Sequence, residues 1–414
     1  MNIKGMLTEF YESVRKFGPD HCELEEMISN VNVLMRYNGV NIDKRETKPI
    51  PMFVYFLIIV GFVCYYYVYL FSMLWCTFVL YPRTGYFIGS IIVFSIGSYS
   101  ESCAIRFLFI VINRKLIRDV VEVYRLCNDQ VPPDSRFSRN ILKHLRIVKK
   151  RATIIWLGLI INAYIYLVLP FFRPGKQFAE NRLIIFGLDP MTVSPNYEIS
   201  QSMICMAIPT LSHSLANCMV LVIILYGYTE AQLLSLSEEL LCMWDDAEVS
   251  YKETVHEETM TKVQFMNSFV QQRLRFIIKL HVDNMTMLKR LENVLRVSMA
   301  LEFLVLMAGL IAELLGGIEN TFLQIPFTFA QIFMNCYLGQ KIINASNSFE
   351  TAVYNCRWEN FNKSNMKTVL IMLQNSQKTL QLSAGGVAIL GFECLMTVIK
   401  SCYSFYTTLQ STLK

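Results

Sequence analysis

Six residues near the carboxyl end, Glu393, Thr397, Ser401, Ser404, Thr408 and Thr412, follow one another at steps of four, four, three, four and four. On an α-helix this spacing sets one carboxylate and five hydroxyls along a single face, while Ile399, Tyr403 and Tyr406 point elsewhere. A face of this kind can hydrate a narrow path for ions, with Glu393 favouring cations at its inner end. It can equally serve close packing, because small hydroxyl residues let membrane helices approach. The carboxylate tilts the choice towards the path. At mid-membrane it costs roughly 2.5–3.5 kcal/mol on insertion scales and therefore faces water or a partner.

A second set is aromatic and sulfur-rich. It comprises Tyr86, Phe87, Ile91 and Phe94, then Asn162, Tyr164 and Tyr166, then Met203, Met206 and Thr210, and finally Phe322, Phe327 and Gln331. Apolar walls with a few polar groups suit a small volatile or lipid-like ligand. For any one of these residues, lipid contact or core packing is the competing reading. Glu101, Arg106 and Glu302 read as structural charges, paired near span ends or snorkelling. Nothing suggests catalysis: there is no glycine-rich phosphate loop, HExxH or GxSxG, and His occurs five times. The twelve cysteines are scattered, mostly inside apolar runs, with neither CxxC nor Cys/His ligand spacing, so no metal or other cofactor is expected.

The elements that must position these residues are membrane helices. Of 414 residues 53% are hydrophobic and 17% charged, against roughly 25% charged in a soluble domain. A crossing helix needs roughly 20 apolar residues. Runs free of acidic and basic residues occupy 51–82, 84–100, 152–172, 199–229, 303–312, 320–340 and 379–392. The second continues to Asn113, and the last continues past Glu393 to the end. Residues 1–50 are charged and mildly amphipathic (Leu7, Phe10, Tyr11, Val14), without a cleavable-signal pattern. The expected fold is an all-α integral membrane protein of seven transmembrane helices.

Lys and Arg set its orientation. The stretch 113–151 carries eleven of them, from Arg114 to Arg151, and the amino-terminal segment adds Lys4, Arg15, Lys16, Arg36, Lys44, Arg45 and Lys48. The other side has Arg83, Arg173, Lys176, Arg182 and Lys414. The N-terminus is thus expected in the cytoplasm and, after seven crossings, the C-terminus outside. The basic residues flank apolar spans, so no nucleic-acid partner is expected. The sequons at Asn284, Asn344 and Asn362 fall on the cytoplasmic side and read as chance matches. The chain divides into a cytoplasmic segment (1–50), spans one to four (51–230), a cytoplasmic loop with a helix extension (231–296), spans five and six (297–350), a cytoplasmic anchor segment (351–385) and the last span (386–414). Within the extension, Leu274, Ile278, Met285, Leu288, Leu291 and Leu295 form an amphipathic stripe for this chain's own helices or for a second subunit.

Several short patterns lie in the carboxyl-terminal third: Tyr354-x-x-x-Trp358, Met372-x-Gln374-x-x-Gln377, Leu382-x-Ala384-Gly385-Gly386, Lys400-Ser-Cys-Tyr403-Ser404-Phe405-Tyr406-x-x-Leu409, and Cys336-x-x-Gly339. Together they closely resemble the insect odorant receptor family, although that family often has proline where Thr379 stands. The resemblance implies an odorant-gated, non-selective cation channel. Four subunits would surround a pore lined by their last helices and share an anchor of cytoplasmic helices. It also implies a small volatile hydrophobic odorant bound in the outer halves of spans two, three, four and six, and gate residues at Thr408 and Thr412. The coreceptor's much longer second cytoplasmic loop is absent from 230–270. The chain therefore resembles an odour-specific subunit that joins a coreceptor in a heterotetramer, surrounded by lipid in the plasma membrane of olfactory sensory neurons. A gustatory receptor shares the topology but ends in Thr-Tyr…Gln-Phe, where this chain has Ser404-Phe405 and Gln410-Ser411. A metabotropic chemoreceptor would need the reverse orientation.

Overall fold

A computed structural model describes residues 17–18, 20–172, 174–254 and 261–413, with the side chains of 254, 412 and 413 outside that description. Leu7, Phe10, Tyr11, Val14, Lys4, Arg15, Lys16, Arg173, Lys414 and the Thr412 hydroxyl thus lie outside the described residues.

Helix α1 (Leu24–Tyr37) buries Met27, Ile28, Val31 and Met35 at steps of one, three and four. Among the described residues, five longer helices are long and apolar enough to cross a membrane. These are α2 (Met52–Thr84), α3 (Phe87–Ile112), α5 (Arg136–Val168, extended by a 3₁₀ turn to Phe172), α6 (Asn196–Thr254) and α7 (Lys262–Gly316). Two more polar helices, α8 (Ile325–Tyr354, 30 residues) and α10 (Phe392–Leu413, 22 residues), complete seven long helices among the described residues. At about 1.5 Å per residue each exceeds the roughly 30 Å hydrocarbon core. Helices α4 (Arg114–Asn128) and α9 (Lys363–Ser376) lie at the end of the bundle that carries the basic stretch.

Helix α6 is the axis of the bundle. It is buried on every side from Ser214 to Leu233, as suits a largely apolar helix whose Glu230 is paired with Arg151. The region expected to be a loop after 230 is instead its continuation. Leu233, Leu236, Leu240, Met243 and Ala247 recur at steps of three, four, three and four and are all buried. Helix α7 then starts with a capping box between Thr261 and Gln264 and runs unbroken into the fifth span. Its stripe divides. Leu274, Leu288, Leu291 and Leu295 are buried within the chain, whereas Ile278 and Met285 border an open gap against α9. Asn284 is fully buried and donates to the Thr229 carbonyl at 3.1 Å, so its sequon is unavailable to a glycan.

The last helix begins at Phe392, six residues later than the boundary expected at 386. Ser383–Ala384 (β1) and Ala388–Ile389 (β2) pair antiparallel, and Gly385 and Gly386 turn the chain between them at φ +66° and +78°. That left-handed backbone suits glycine, and the hairpin occupies residues that apolarity alone assigns to a span. The Gly385 amide donates to the Arg296 carbonyl at 2.9 Å and so ties the hairpin to α7.

At the basic end, the fully buried Arg125 grips Asp43 at 2.5 and 2.7 Å and Glu25 at 2.7 Å, clamping the amino-terminal segment to α4. The Arg125 guanidinium holds the Asp43 carboxyl below its ordinary range.

Candidate ligand-binding site

The half of the bundle away from the basic end contains an enclosed cavity of about 40 Å³ between α2, α3, α5, α6 and α8. Helical pairs four residues apart furnish its walls: Tyr99 and Cys103 on α3, Asn162 and Tyr166 on α5, and Ile208 and Ser212 on α6. Leu323 and Phe327 face them from the start of α8, and Tyr69 reaches in from a π-helical turn of α2, Tyr66–Ser72. Pro209 lies between Ile208 and Leu211, where it removes one rung of the α6 ladder. The walls are apolar apart from a few hydroxyl and amide groups, as in a small-molecule site.

Three of the thirteen expected ligand residues line this cavity: Asn162, Tyr166 and Phe327. Gln331 lies one turn further along α8, buried, accepting from the Ser102 hydroxyl at 3.1 Å. Ile91 and Phe94 are half-buried, two turns from the α3 wall. Tyr86 and Phe87 are exposed at the helix end, where the Tyr86 ring packs against Tyr81 and under the Arg182 guanidinium. Tyr164 sits about 200° around α5 from Asn162 and meets His213 at 3.2 Å on the exposed side. Thr210 faces Gly61 of α2, where a Cβ would stand 2.0 Å from its hydroxyl. Met203 and Met206 are half-buried on α6, and Phe322 is 50% exposed. The missed residues follow the i, i+4 rule that the expected set kept between Phe87 and Ile91, Asn162 and Tyr166, Met206 and Thr210, and Phe327 and Gln331.

Alongside the cavity and below it, α3 and α8 run parallel in a fixed register. Ser95 donates to Gln324 at 2.9 Å, Ser102 to Gln331 at 3.1 Å and Arg106 to Asn335 at 2.9 Å, each pair 229 residues apart. This polar seam ends in a buried ion pair. The Arg106 guanidinium donates to Glu302 of α7 at 2.9 and 3.0 Å, and also touches the Met219 sulfur of α6. The two side chains are 3% and 1% exposed, so they are paired in the core and do not snorkel. Burial this deep stabilises the charges only while both partners are present.

The last helix is held differently. Leu395, Val398 and Cys402 seat α10 against α7 and α8, and Gly339 of α8 passes so close to Leu390 that a Cβ would stand 2.2 Å from its carbonyl oxygen. On the stripe, Glu393, Thr397, Ser404 and Thr408 are exposed and Ser401 is half-buried. The Thr397 and Thr408 hydroxyls donate to backbone carbonyls one turn earlier, at 2.9 Å each.

The sequence profile described as 7tm Odorant receptor matches residues 91–403. Odorant receptor 33b of Drosophila melanogaster is 30% identical over 81 residues, 20% of this chain and 21% of that protein. The odorant receptor coreceptor of Ooceraea biroi is 26% identical over 85 residues, 20% of this chain and 18% of that protein. The aligned segments thus span about a fifth of these curated relatives. The solved insect olfactory receptor OR5 of Machilis hrabei superposes with a TM-score of 0.71 at 14% identity, over 93% of this chain and 98% of that one. Its complex with eugenol superposes with a TM-score of 0.69 at 12% identity, over 94% and 98%. At such identities the likeness is one of fold.

Proposed function

The chain belongs to the 7tm odorant receptor family, and from that premise we propose that it is the odour-specific subunit of an odorant-gated, non-selective cation channel. The subunit spans the plasma membrane of an olfactory sensory neuron, amino end inside, and joins a coreceptor in a heterotetramer. In this reading the cavity around Asn162, Tyr166 and Phe327 receives a small volatile odorant, and the α10 helices of the four subunits line the pore with Glu393, Thr397, Ser401, Ser404, Thr408 and Thr412. The exposed Leu370 and Ile371 of α9, with Tyr354 and Trp358, offer an apolar anchor surface to neighbouring subunits at the cytoplasmic end.

One observation carries the reading. Helix α10 buries a narrow apolar strip, while Glu393, Thr397, Ser404 and Thr408 of its stripe are left exposed by its own chain. In a membrane, such a face requires water or partner subunits. The seam supplies the coupling, because Glu302 and the α10 seat share helix α7 with one face of the ligand bundle.

The test is co-expression with a coreceptor in a cell line under voltage clamp. An odour-evoked inward current within milliseconds, without added nucleotide, is expected. A response abolished by blocking G proteins contradicts the channel mechanism.

A further inference from the structure

The enclosed cavity is too small for the ligand class it is asked to hold. An apolar cavity that binds benzene measures about 150 Å³, against about 40 Å³ here. Next to it, between α5 and α8, lies a second chamber of about 280 Å³ that shares Asn162 and Phe327 with the first as a common wall. Met219 of α6 floors this chamber, and Ile154, 67% exposed, stands at its edge. Its lining residues fall within the third, fourth and sixth spans, so the chamber opens at the depth of the hydrocarbon.

Two features mark the chamber as built. Helix α5 carries Gly158 there, and a Cβ on Gly158 would meet nothing within 4 Å. Neither backbone conformation nor close approach demands glycine at that position, although glycine inside a helix is destabilising relative to alanine. What the glycine does is leave the chamber open opposite Ala330. The second feature is Gln331. It is 2% exposed, its carbonyl oxygen is engaged by Ser102, and its amide nitrogen has no hydrogen-bond partner among the described residues. A buried amide donor without a partner in an apolar wall suits a ligand that brings an acceptor.

We propose that an apolar ligand carrying one hydrogen-bond acceptor, such as a carbonyl or ether oxygen, reaches the cavity sideways from the bilayer. It passes between α5 and α8, pauses against the Gln331 amide and moves inward as Phe327 swings aside. Phe327 rests edge-on against Tyr99 at 5.5 Å, and turning its ring away joins the two chambers into one space of odorant size. The proposal deepens the function read above and rests on it.

The test uses the full heteromeric channel and an apolar ketone found to activate the unmodified chain. Gly158→Phe projects a ring into the chamber from α5, where its Cβ has open space. A barrier on the route slows arrival and departure alike, so onset and washout of the current should both slow about tenfold while the half-maximal concentration stays within twofold. Unchanged kinetics at normal surface expression overturn the route. A shifted half-maximal concentration with unchanged kinetics also overturns it, since that marks a binding contact. If Gly158→Phe fails to reach the surface, Gly158→Leu is read by the same criteria. An unmodified chain that gives no current contradicts the receptor reading and leaves the route to a second measurement. There, Gly158→Cys in membranes should react with an octyl methanethiosulfonate, above the background of the unmodified chain, at least tenfold faster than with a charged analogue. Equal rates overturn the route.

Discussion

The closed core around α6 and the open last helix α10 solve opposite problems. Helix α6 is largely apolar and is buried through about five turns by α2, α3, α5, α7 and α8. Charges beside it are matched, Arg106 with Glu302 and Arg151 with Glu230. Helix α10 rests on Leu395, Val398 and Cys402 and leaves Glu393, Thr397, Ser404 and Thr408 exposed. The contrast separates stability from conduction. Changes in the core should decide whether the protein folds, and changes on the open stripe should alter what a folded channel passes.

Removing one member of the buried pair should be the most damaging change. Glu302→Leu leaves Arg106 charged and unpaired and should cost about 3–5 kcal/mol, seen as near-complete loss of surface protein. The double change Arg106→Met with Glu302→Leu should recover most of that loss. Equal loss in the double variant would show that the pair is not what closes the core. Next in size is Gly339→Val at the joint between α8 and α10. Its new carbons meet the Leu390 carbonyl, which is backbone and cannot turn aside, so a cost of about 1–3 kcal/mol should appear as a lowered melting temperature of the purified complex.

A smaller effect comes from pH. His281 stacks on Phe349 at 4.2 Å in the helix extension, beside the gap that it shares with Lys289 and Glu292, and burial pushes its imidazole down to about 4 from 6.5. The unfolded chain therefore binds the proton first, and stability falls as pH drops below the unfolded value towards the folded one. At about pH 5.5 the loss should approach 1 kcal/mol. His281→Phe should remove this pH dependence, checked by melting the complex between neutral and mildly acid pH. Smallest on stability is Thr408→Leu on the open stripe. Surface level should stay unchanged, within about 0.5 kcal/mol, while single-channel conductance falls several-fold.

The long helices and the family were legible because each rests on local sequence. Apolar runs mark spans, and the short carboxyl-terminal patterns mark backbone geometry. Gly385-Gly386 turns a hairpin, Gly339 admits the Leu390 backbone, and Trp358 Nε1 donates to the Tyr354 carbonyl at 3.0 Å. The extension of α6 to Thr254 was also written in the chain, as the steps from Leu233 to Ala247, but charged residues on its solvent face disguised it as a loop. The cavity was less legible. Asn162, Tyr166 and Phe327 share it because of how five helices rotate about their axes. Tyr164, equally polar and aromatic and two residues away, is carried to the far side by the helical turn. Rotation is set by packing between distant segments, and the register that pairs α3 with α8 at a separation of 229 residues has no local signal.

The most direct measurement is thiol accessibility on the last helix of the co-expressed channel. Thr408→Cys, on the stripe, and Tyr403→Cys, off it and 62% exposed, are each treated with a charged, membrane-impermeant methanethiosulfonate. If α10 lines the conduction path, the current through Thr408→Cys falls steeply and that through Tyr403→Cys persists. The account is contradicted if both currents persist, or if Tyr403→Cys is the variant that is blocked.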